Sequence, residues 1–361
     1  MIWTRRILLA LVGLAVLAVL GFNLFKTQIA TRAFEQGVIS RAGVDQSADL
    51  PDGLHLYLCG TGSPLPDPTR AGPCLGVLAG ARAYVFDVGS GGARNLGGMG
   101  FPIDRIESVY LTHLHSDHID GLGELLTIAW LAGSRASPLP VIGPTGTKEV
   151  VAGFNAAYRL DSTYRTAHHG VEVANPTGFG GQGVEILLPA GPGGDAIIFE
   201  DDTLKITAIR VEHAPVEPAF GYRIDYKDRS LSISGDTIYH PGFVAMSKGV
   251  DLMVHEALDP EMTSAIGLQL SAAGQRANGK IFADILDYHA TPEQAAQAAQ
   301  EAGAQELVYY HMLPPLPIKL IETVFYGDAK AEFDGPMMIG RDGVIISLPA
   351  GSDKITKSKG F

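Results

Sequence analysis

The segment YLTHLHSDHIDGLGEL, Tyr110 to Leu125, carries His113, His115, Asp117 and His118 within six residues. Side chains two apart on a strand share a face, so His113 and His115 point the same way. If the strand breaks into a tight turn there, Asp117 and His118 swing toward a second position a few ångströms away. A plain polar turn would crowd mutually repelling groups for no gain. The pattern H-x-H-x-D-H therefore reads as part of a metal site.

Two ions need more ligands than these four. Three further candidates stand where predicted strands end: His213 after ITAIRVEH, Asp236 after SLSISGD and His311 in LVYYH. The expected grouping is His113, His115 and His213 for one ion and Asp117, His118 and His311 for the other. Asp236 would bridge them, because a carboxylate has two hard oxygens. Imidazole and carboxylate without thiolate suit two Zn2+, with iron or manganese as alternatives.

Strands must deliver these residues. GLHLYLCG, CLGVLA, RAYVFDV and IESVYLTH read as strands, as do LPVIGP, LKITAIRVEH, FGYRIDY, RSLSISGD, VDLMVHEA and QELVYYH. Gly121 to Ala132 and Thr147 to Leu160 have helical spacing. Thr291 to Ala302 opens with Thr291 as N-cap, Pro292 at the first position and Gln294 completing a capping box, and it ends at Gly303. Residues 161–204 read as a long irregular arm that holds His168 and His169 as exposed loop residues. Pro260 to Asp287 exceeds a simple connection and reads as an apolar lid. Strands followed by helices, given twice, predict two packed sheets with helices outside.

The chain has 361 residues and a net charge of −12. It is long enough for a large core. Its acidity argues against a nucleic-acid partner without excluding one. Cys59 and Cys74 are the only cysteines, and either one bridge or two buried thiols fits them. The run Ile7 to Phe25 is apolar on every side and would span about 28 Å as a helix, close to a bilayer core. Arg5 and Arg6 before it predict a cytoplasmic N-terminus and an exported body, anchored at the inner membrane on the periplasmic side. Secretion after cleavage of a signal, with a cut after Gly21, is the second choice. The expected domains are an anchor or signal over 1–25, a linker over 26–53, a hydrolase domain over 54–350 and a polar tail over 351–361.

With these motifs in hand, the chain resembles the metallo-β-lactamase superfamily, most of all its ribonuclease Z and arylsulfatase-like branch, from Leu54 to about Pro317. HLHSDH matches the ligand motif and SGDT the bridging aspartate. VHEALD resembles an H-E-A-T segment with Leu258 in place of Thr, and YHATPEQAAQAAQEAGAQELVYYH resembles the loop, helix and last ligand strand that follow it. The resemblance implies a four-layer αββα sandwich with a dinuclear site at one edge, and a homodimer. It makes Asp87 of VFDVGSG a support behind the ligands. It also implies His255 as general acid, Glu256 as an orienting group, His289 as a substrate contact beside the metal ligand Asp117, and Arg70 as a clamp on an anionic ester. There are departures. Ser90 stands where the processing enzymes carry Glu, and PDPTRAG keeps Arg70 but loses an Asn. The arm over 161–204 has Arg165 as its only Arg or Lys against seven acidic residues.

The implied reaction is hydrolysis of a small anionic ester, a phosphodiester or a sulfate ester. A water shared by the two ions would ionise near neutral pH and attack phosphorus or sulfur. The alternative is a ribonuclease Z-type endonuclease acting on transfer-RNA 3′ ends. Weaker alternatives are a lactonase or β-lactamase-type hydrolase, and a metal-binding module without activity.

Overall fold

The computed structural model describes residues 2–40, 42–189 and 194–361. It divides into two units, one up to Ala48 and one over Asp49–Phe361. The first is helix α1, Ile2–Ile39, whose hydropathy averages 2.6 over its most apolar stretch and whose side chains are almost all exposed. Among the described residues, this one helix is long and apolar enough to cross a membrane. It runs past Phe25 into the stretch expected as linker, because nothing before Gly37 breaks helical spacing after the apolar run.

The second unit holds two sheets. In the first, the order is β15-β14-β1-β2-β3-β4-β5-β6. Its strands are β1 Gly53–Gly60, β2 Cys74–Ala79, β3 Arg82–Val88, β4 Ile106–Tyr110, β5 Leu139–Gly143, β6 Gly181–Glu185, β14 Val344–Pro349 and β15 Thr356–Lys359. The second sheet runs β13-β12-β11-β10-β9-β8-β7. It comprises β7 Asp195–Glu200, β8 Leu204–Val211, β9 Ala219–Tyr226, β10 Arg229–Ile233, β11 Leu252–Leu258, β12 Glu306–Leu313 and β13 Met337–Ile339.

Alternation along each strand builds three cores. Leu54, Leu56 and Leu58 of β1 meet Phe220, Tyr222 and Ile224 of β9 between the sheets. Tyr57 and Cys59 turn outward, where α2 (Gly92–Gly98), the short α3 (Ser116–Ile119), α4 (Leu122–Ala132) and α5 (Thr147–His169) cover the first sheet. On α4 the buried residues Leu122, Leu125, Leu126 and Ala129 follow helical spacing. The second sheet is covered by α6 (Pro241–Met246) and, after the hairpin α7 (Pro260–Ala272) and α8 (Arg276–Asp284), by α9 (Pro292–Ala302), whose buried face is mostly alanine. These are the four layers of an αββα sandwich. The expected capping box forms: Thr291 Oγ1 accepts from Gln294 N at 3.2 Å and Gln294 Oε1 from Thr291 N at 3.0 Å.

Three expectations change. Helix α5 continues past Leu160 to His169, since Gly170 is its first breaker, so His168 and His169 are exposed helix-end residues rather than loop residues. The supposed irregular arm contains β6 and β7, each paired into a sheet, while residues 190–193 of PAGPGGD lie outside the described residues. The polar tail is an edge strand, β15, whose four residues are exposed. The buried Arg229 guanidinium holds the turn before it through the Ser352 and Lys354 carbonyls.

Cys59 and Cys74, left open by the sequence, are bonded at a separation of 15 residues, closing the loop between β1 and β2. The bond restricts the unfolded chain, and a loop of this size is worth about 3 kcal/mol. Replacing both cysteines by alanine is expected to lower the unfolding free energy by about that amount. Urea denaturation of the two proteins measures it, and an unchanged midpoint would refute the claim.

Candidate metal centre

The site forms at one edge of the sandwich, past the ends of β4, β8 and β10 and near the ends of β3, β11 and β12. His113 and His115 leave β4 in extended chain. Asp117 and His118 then enter through α3, where the sequence had placed only a tight turn. His213 follows β8, and Asp236 follows β10 after Gly235, which takes φ 62° with the Phe220 carbonyl close by. A Cβ there would lie 2.4 Å from that oxygen.

His311 and Asp87 are placed by another device. Each sits at a register shift: Tyr310 and Met312 pair with consecutive residues Glu256 and Ala257, and Phe86 and Val88 with Leu75 and Cys74. Each is thus the extra residue of a β-bulge, with φ of 45° at His311 and 53° at Asp87. Side chains rarely accept such backbone, and bulges re-aim them next to functional sites.

Seven side chains converge. Ligand atoms of His113, His115, His213 and Asp236 lie within 4.8 Å of one another, as do those of Asp117, His118 and His311. Asp236 Oδ2 stands 3.4 Å from His118 Nε2, 3.3 Å from His311 Nε2, and 3.9 Å from both His113 Nε2 and His213 Nε2. It faces both groups, as a bridging carboxylate must. Asp117 Oδ2 lies 3.2 Å from His311 Nε2. His118 Nε2 and Asp236 Oδ1 are buried without hydrogen-bond partners. Buried polar atoms are normally paired, so these atoms await another group. Hard oxygens, imidazoles and no thiolate fit divalent cations.

Groups behind the ligands fix their orientation. His118 Nδ1 donates to Asp87 Oδ2 at 2.8 Å, and His213 Nδ1 to the Tyr288 carbonyl at 3.0 Å, leaving each Nε2 for the site. Asp87 Oδ1 accepts from Thr112 N at 2.8 Å, and Thr112 Oγ1 donates to Asp87 Oδ2 at 2.7 Å. Burial pushes the His213 imidazole down to about 4 and His113 well below its ordinary value. Burial opposes charge on His118 too, yet the Asp236, Asp117 and Asp87 carboxylates outweigh it and raise that imidazole. Asp87→Ala is expected to weaken metal retention about 10–100-fold. Competition with a graded chelator measures it, and unchanged retention would refute Asp87 as a ligand support.

The remaining expected residues divide. His289 lines the cleft, and its Nδ1 sits 3.0 Å from Glu256 Oε1. The same oxygen accepts from Thr237 N at 3.1 Å and Ala290 N at 3.2 Å. Burial pushes the Glu256 carboxyl well above the usual range, and the nearby Asp236 carboxylate adds to it. His255, expected as general acid, is not at the cleft. Neighbours on a strand face opposite ways, and β11 turns Val254 and Glu256 inward and Met253 and Ala257 outward. His255 therefore points to the outer layer, its ring 5.6 Å from Phe243 and its Nδ1 on the Glu256 carbonyl at 2.7 Å. Burial pushes it down to about 4. Arg70 is not in the cleft either. Its guanidinium donates to Thr61 Oγ1 and the Gly340 carbonyl and lies beside Asp67, so it fastens its own loop rather than clamping an ester.

Ile281 and Ile285, from the expected lid, line the cleft, while sequence reasoning missed Tyr288 and Leu65, which also line it, and Thr112. Tyr288 and Thr112 adjoin His289 and His113, and that adjacency was the available signal.

The family model described as "Beta-lactamase superfamily domain" matches residues 99–312, and that of "Anti-Pycsar protein Apyc1" matches residues 54–139. A ribonuclease Z of Mycobacterium avium is 34% identical over 291 residues, 80% of this chain and 96% of the relative. Among solved structures, the metallo-β-lactamase fold protein YhfI of Bacillus subtilis superposes with a TM-score of 0.59 at 21% identity, covering 82% of this chain and 100% of that one. The short form of human tRNase Z gives 0.57 at 23% identity, covering 82% and 99%. These two share the fold, and the mycobacterial relative carries the kinship. With its ligand set gathered at the sandwich edge, the chain belongs to the metallo-β-lactamase superfamily of metal-dependent hydrolases, as a homologue of the ribonuclease Z proteins.

Proposed function

We propose that this protein hydrolyses phosphodiesters. The observation that carries the reading is the Glu256–His289 pair, whose His289 lines the same cleft as His115, Asp117, Asp236 and His311. His113, His115, His213 and Asp236 would hold one Zn2+, and Asp117, His118, His311 and Asp236 the other. When bound, two such cations lower the pKa of a shared water toward about 7 and neutralise charge on the ester oxygens. Glu256 Oε1 accepts a hydrogen bond from His289 Nδ1 and fixes the ring. The other nitrogen, Nε2, then gives a proton to the departing oxygen. Asp87 keeps His118 in the tautomer that presents Nε2. Of the two ester classes read from the sequence, the relatives' names support the phosphodiester, and sulfate esters are not carried forward.

Those names favour an RNA phosphodiester, with 3′-end cleavage of transfer RNA as the nearest reading. A specific observation favours a second reading, a small phosphodiester: none of the described cleft-lining residues is Lys or Arg. Two further features agree with it. Arg5 and Arg6, ahead of the apolar run Ile7 to Phe25, support a hydrolase domain outside the cytoplasm at an inner-membrane anchor, and the Cys59–Cys74 bond suits an oxidising compartment. Protease added to spheroplasts, whose outer membrane is opened and inner membrane intact, should then cut the hydrolase domain. Metal-loaded full-length protein assayed on bis(p-nitrophenyl) phosphate, a precursor transfer RNA and an aryl sulfate separates the readings. Loaded protein inert on both phosphodiesters would refute the proposal. Size-exclusion chromatography of the same sample tests the homodimer.

A further inference from the structure

Resting on the phosphodiesterase reading, we infer that the substrate is a singly charged phosphodiester bearing an apolar substituent. The cleft has two unlike walls. One is the ligand cluster with His289. The other is made by Pro64 and Leu65 from the loop between β1 and β2, Ile281 and Ile285 from the end of the helical hairpin, and Leu313 from β12. The free volume is about 240 Å³, below the about 300–1,000 Å³ typical of small-molecule sites.

The hairpin wall is a built feature. Asp259 caps α7 through Met262 N at 2.8 Å. At Gly267 and Gly279 the two helices pack so closely that a Cβ on Gly279 would lie 1.9 Å from Ser271 Oγ. This packing holds α8 so that Ile281, itself 52% exposed, stands at the mouth. An isoleucine left in water at the rim of a charged site is covered when an apolar group enters beside it. A polynucleotide would instead bring flanking phosphates, each needing a cation that this lining lacks. The ligand cluster answers one phosphate charge, and the opposite wall answers the substituent.

In the reaction, water oxygen bonds to phosphorus, the bond from phosphorus to the leaving oxygen breaks, and that oxygen takes a proton. The products are a phosphomonoester and an alcohol, one of which carries the apolar group.

The test compares binding and turnover. Calorimetry of metal-loaded full-length protein with dimethyl phosphate and dibutyl phosphate reads affinity without chemistry. Methyl and butyl p-nitrophenyl phosphate read kcat/KM. Both quantities should rise about tenfold or more from methyl to butyl. In Ile281→Ser/Ile285→Ser the butyl-to-methyl ratio should fall toward one while metal content stays as in the parent. Equal affinity for the two dialkyl phosphates, or a ratio that survives the double substitution, overturns the inference even if every ester is cleaved. Butyl-selective binding without any turnover leaves the apolar subsite standing, and it removes the phosphodiesterase reading and with it the substrate assignment. Vesicles of phosphatidylcholine distinguish the source: cleaved vesicle lipid assigns the substituent to a bilayer amphiphile, and turnover confined to the dissolved butyl ester assigns it to a soluble one.

Discussion

Asp236→Ala is expected to reduce kcat/KM on a phosphodiester by at least about 10³-fold and to leave the purified protein with at most one tightly held cation. Its Oδ2 lies within 3.9 Å of four histidine Nε2 atoms that belong to both ligand groups, so one substitution damages both. Asp236 belongs to none of the three hydrophobic cores, and the circular dichroism spectrum should stay that of the parent. Elemental analysis with a turnover assay measures the effect. Full metal content and full activity in this variant would end the dinuclear reading.

The second large effect separates two histidines that the sequence made look alike. His289→Ala should lower kcat by about 10²–10⁴-fold with both cations retained, the usual worth of a positioned proton donor. The loss should shrink for p-nitrophenol esters, whose leaving oxygen needs less help, and grow for alkyl leaving groups. His255→Ala should leave kcat within a few-fold and instead cost about 1–3 kcal/mol of stability, because it empties a packed position against Phe243. A collapse of kcat in His255→Ala at unchanged metal content, with His289→Ala unaffected, would reverse the assignment.

The contrast shows what the sequence could and could not reveal. The convergence of H-x-H-x-D-H was legible because its spacing alone brings four candidate ligands together, and that of His213, Asp236 and His311 because each stands at the end of an apolar run. The capping box at Thr291 was equally local, and it sets the loop carrying His289 against Glu256. His255 was misread although strand alternation could have decided it: if Glu256 faces the ligands, the residue before it must face away. Arg70 was beyond such reasoning, since its partner Gly340 lies 270 residues away. Strands β6 and β7 were hidden among glycines, because pairing to a sheet edge leaves a weak mark on composition. Part of the apolar cleft wall was legible, since 260–287 read as an apolar lid and supplies Ile281 and Ile285, whereas Pro64, Leu65 and Leu313 carried no such signal.

The two bulges have a further consequence. In β12, Val308 and Tyr310 face inward and Leu307 and Tyr309 outward, and the outward phase resumes at Met312 as though His311 were not counted. In β3, Tyr84 and Phe86 face inward, Ala83 and Val85 outward, and Val88 resumes the outward phase past Asp87. A proposed ligand and a proposed ligand support thus occupy surplus letters in the strands' text. Erasing either letter would restore an unbroken ladder with every apolar neighbour already in step. The architecture can therefore outlive its chemistry, and a descendant of this chain with one residue fewer in β12 would remain a folded sandwich that had stopped being an enzyme.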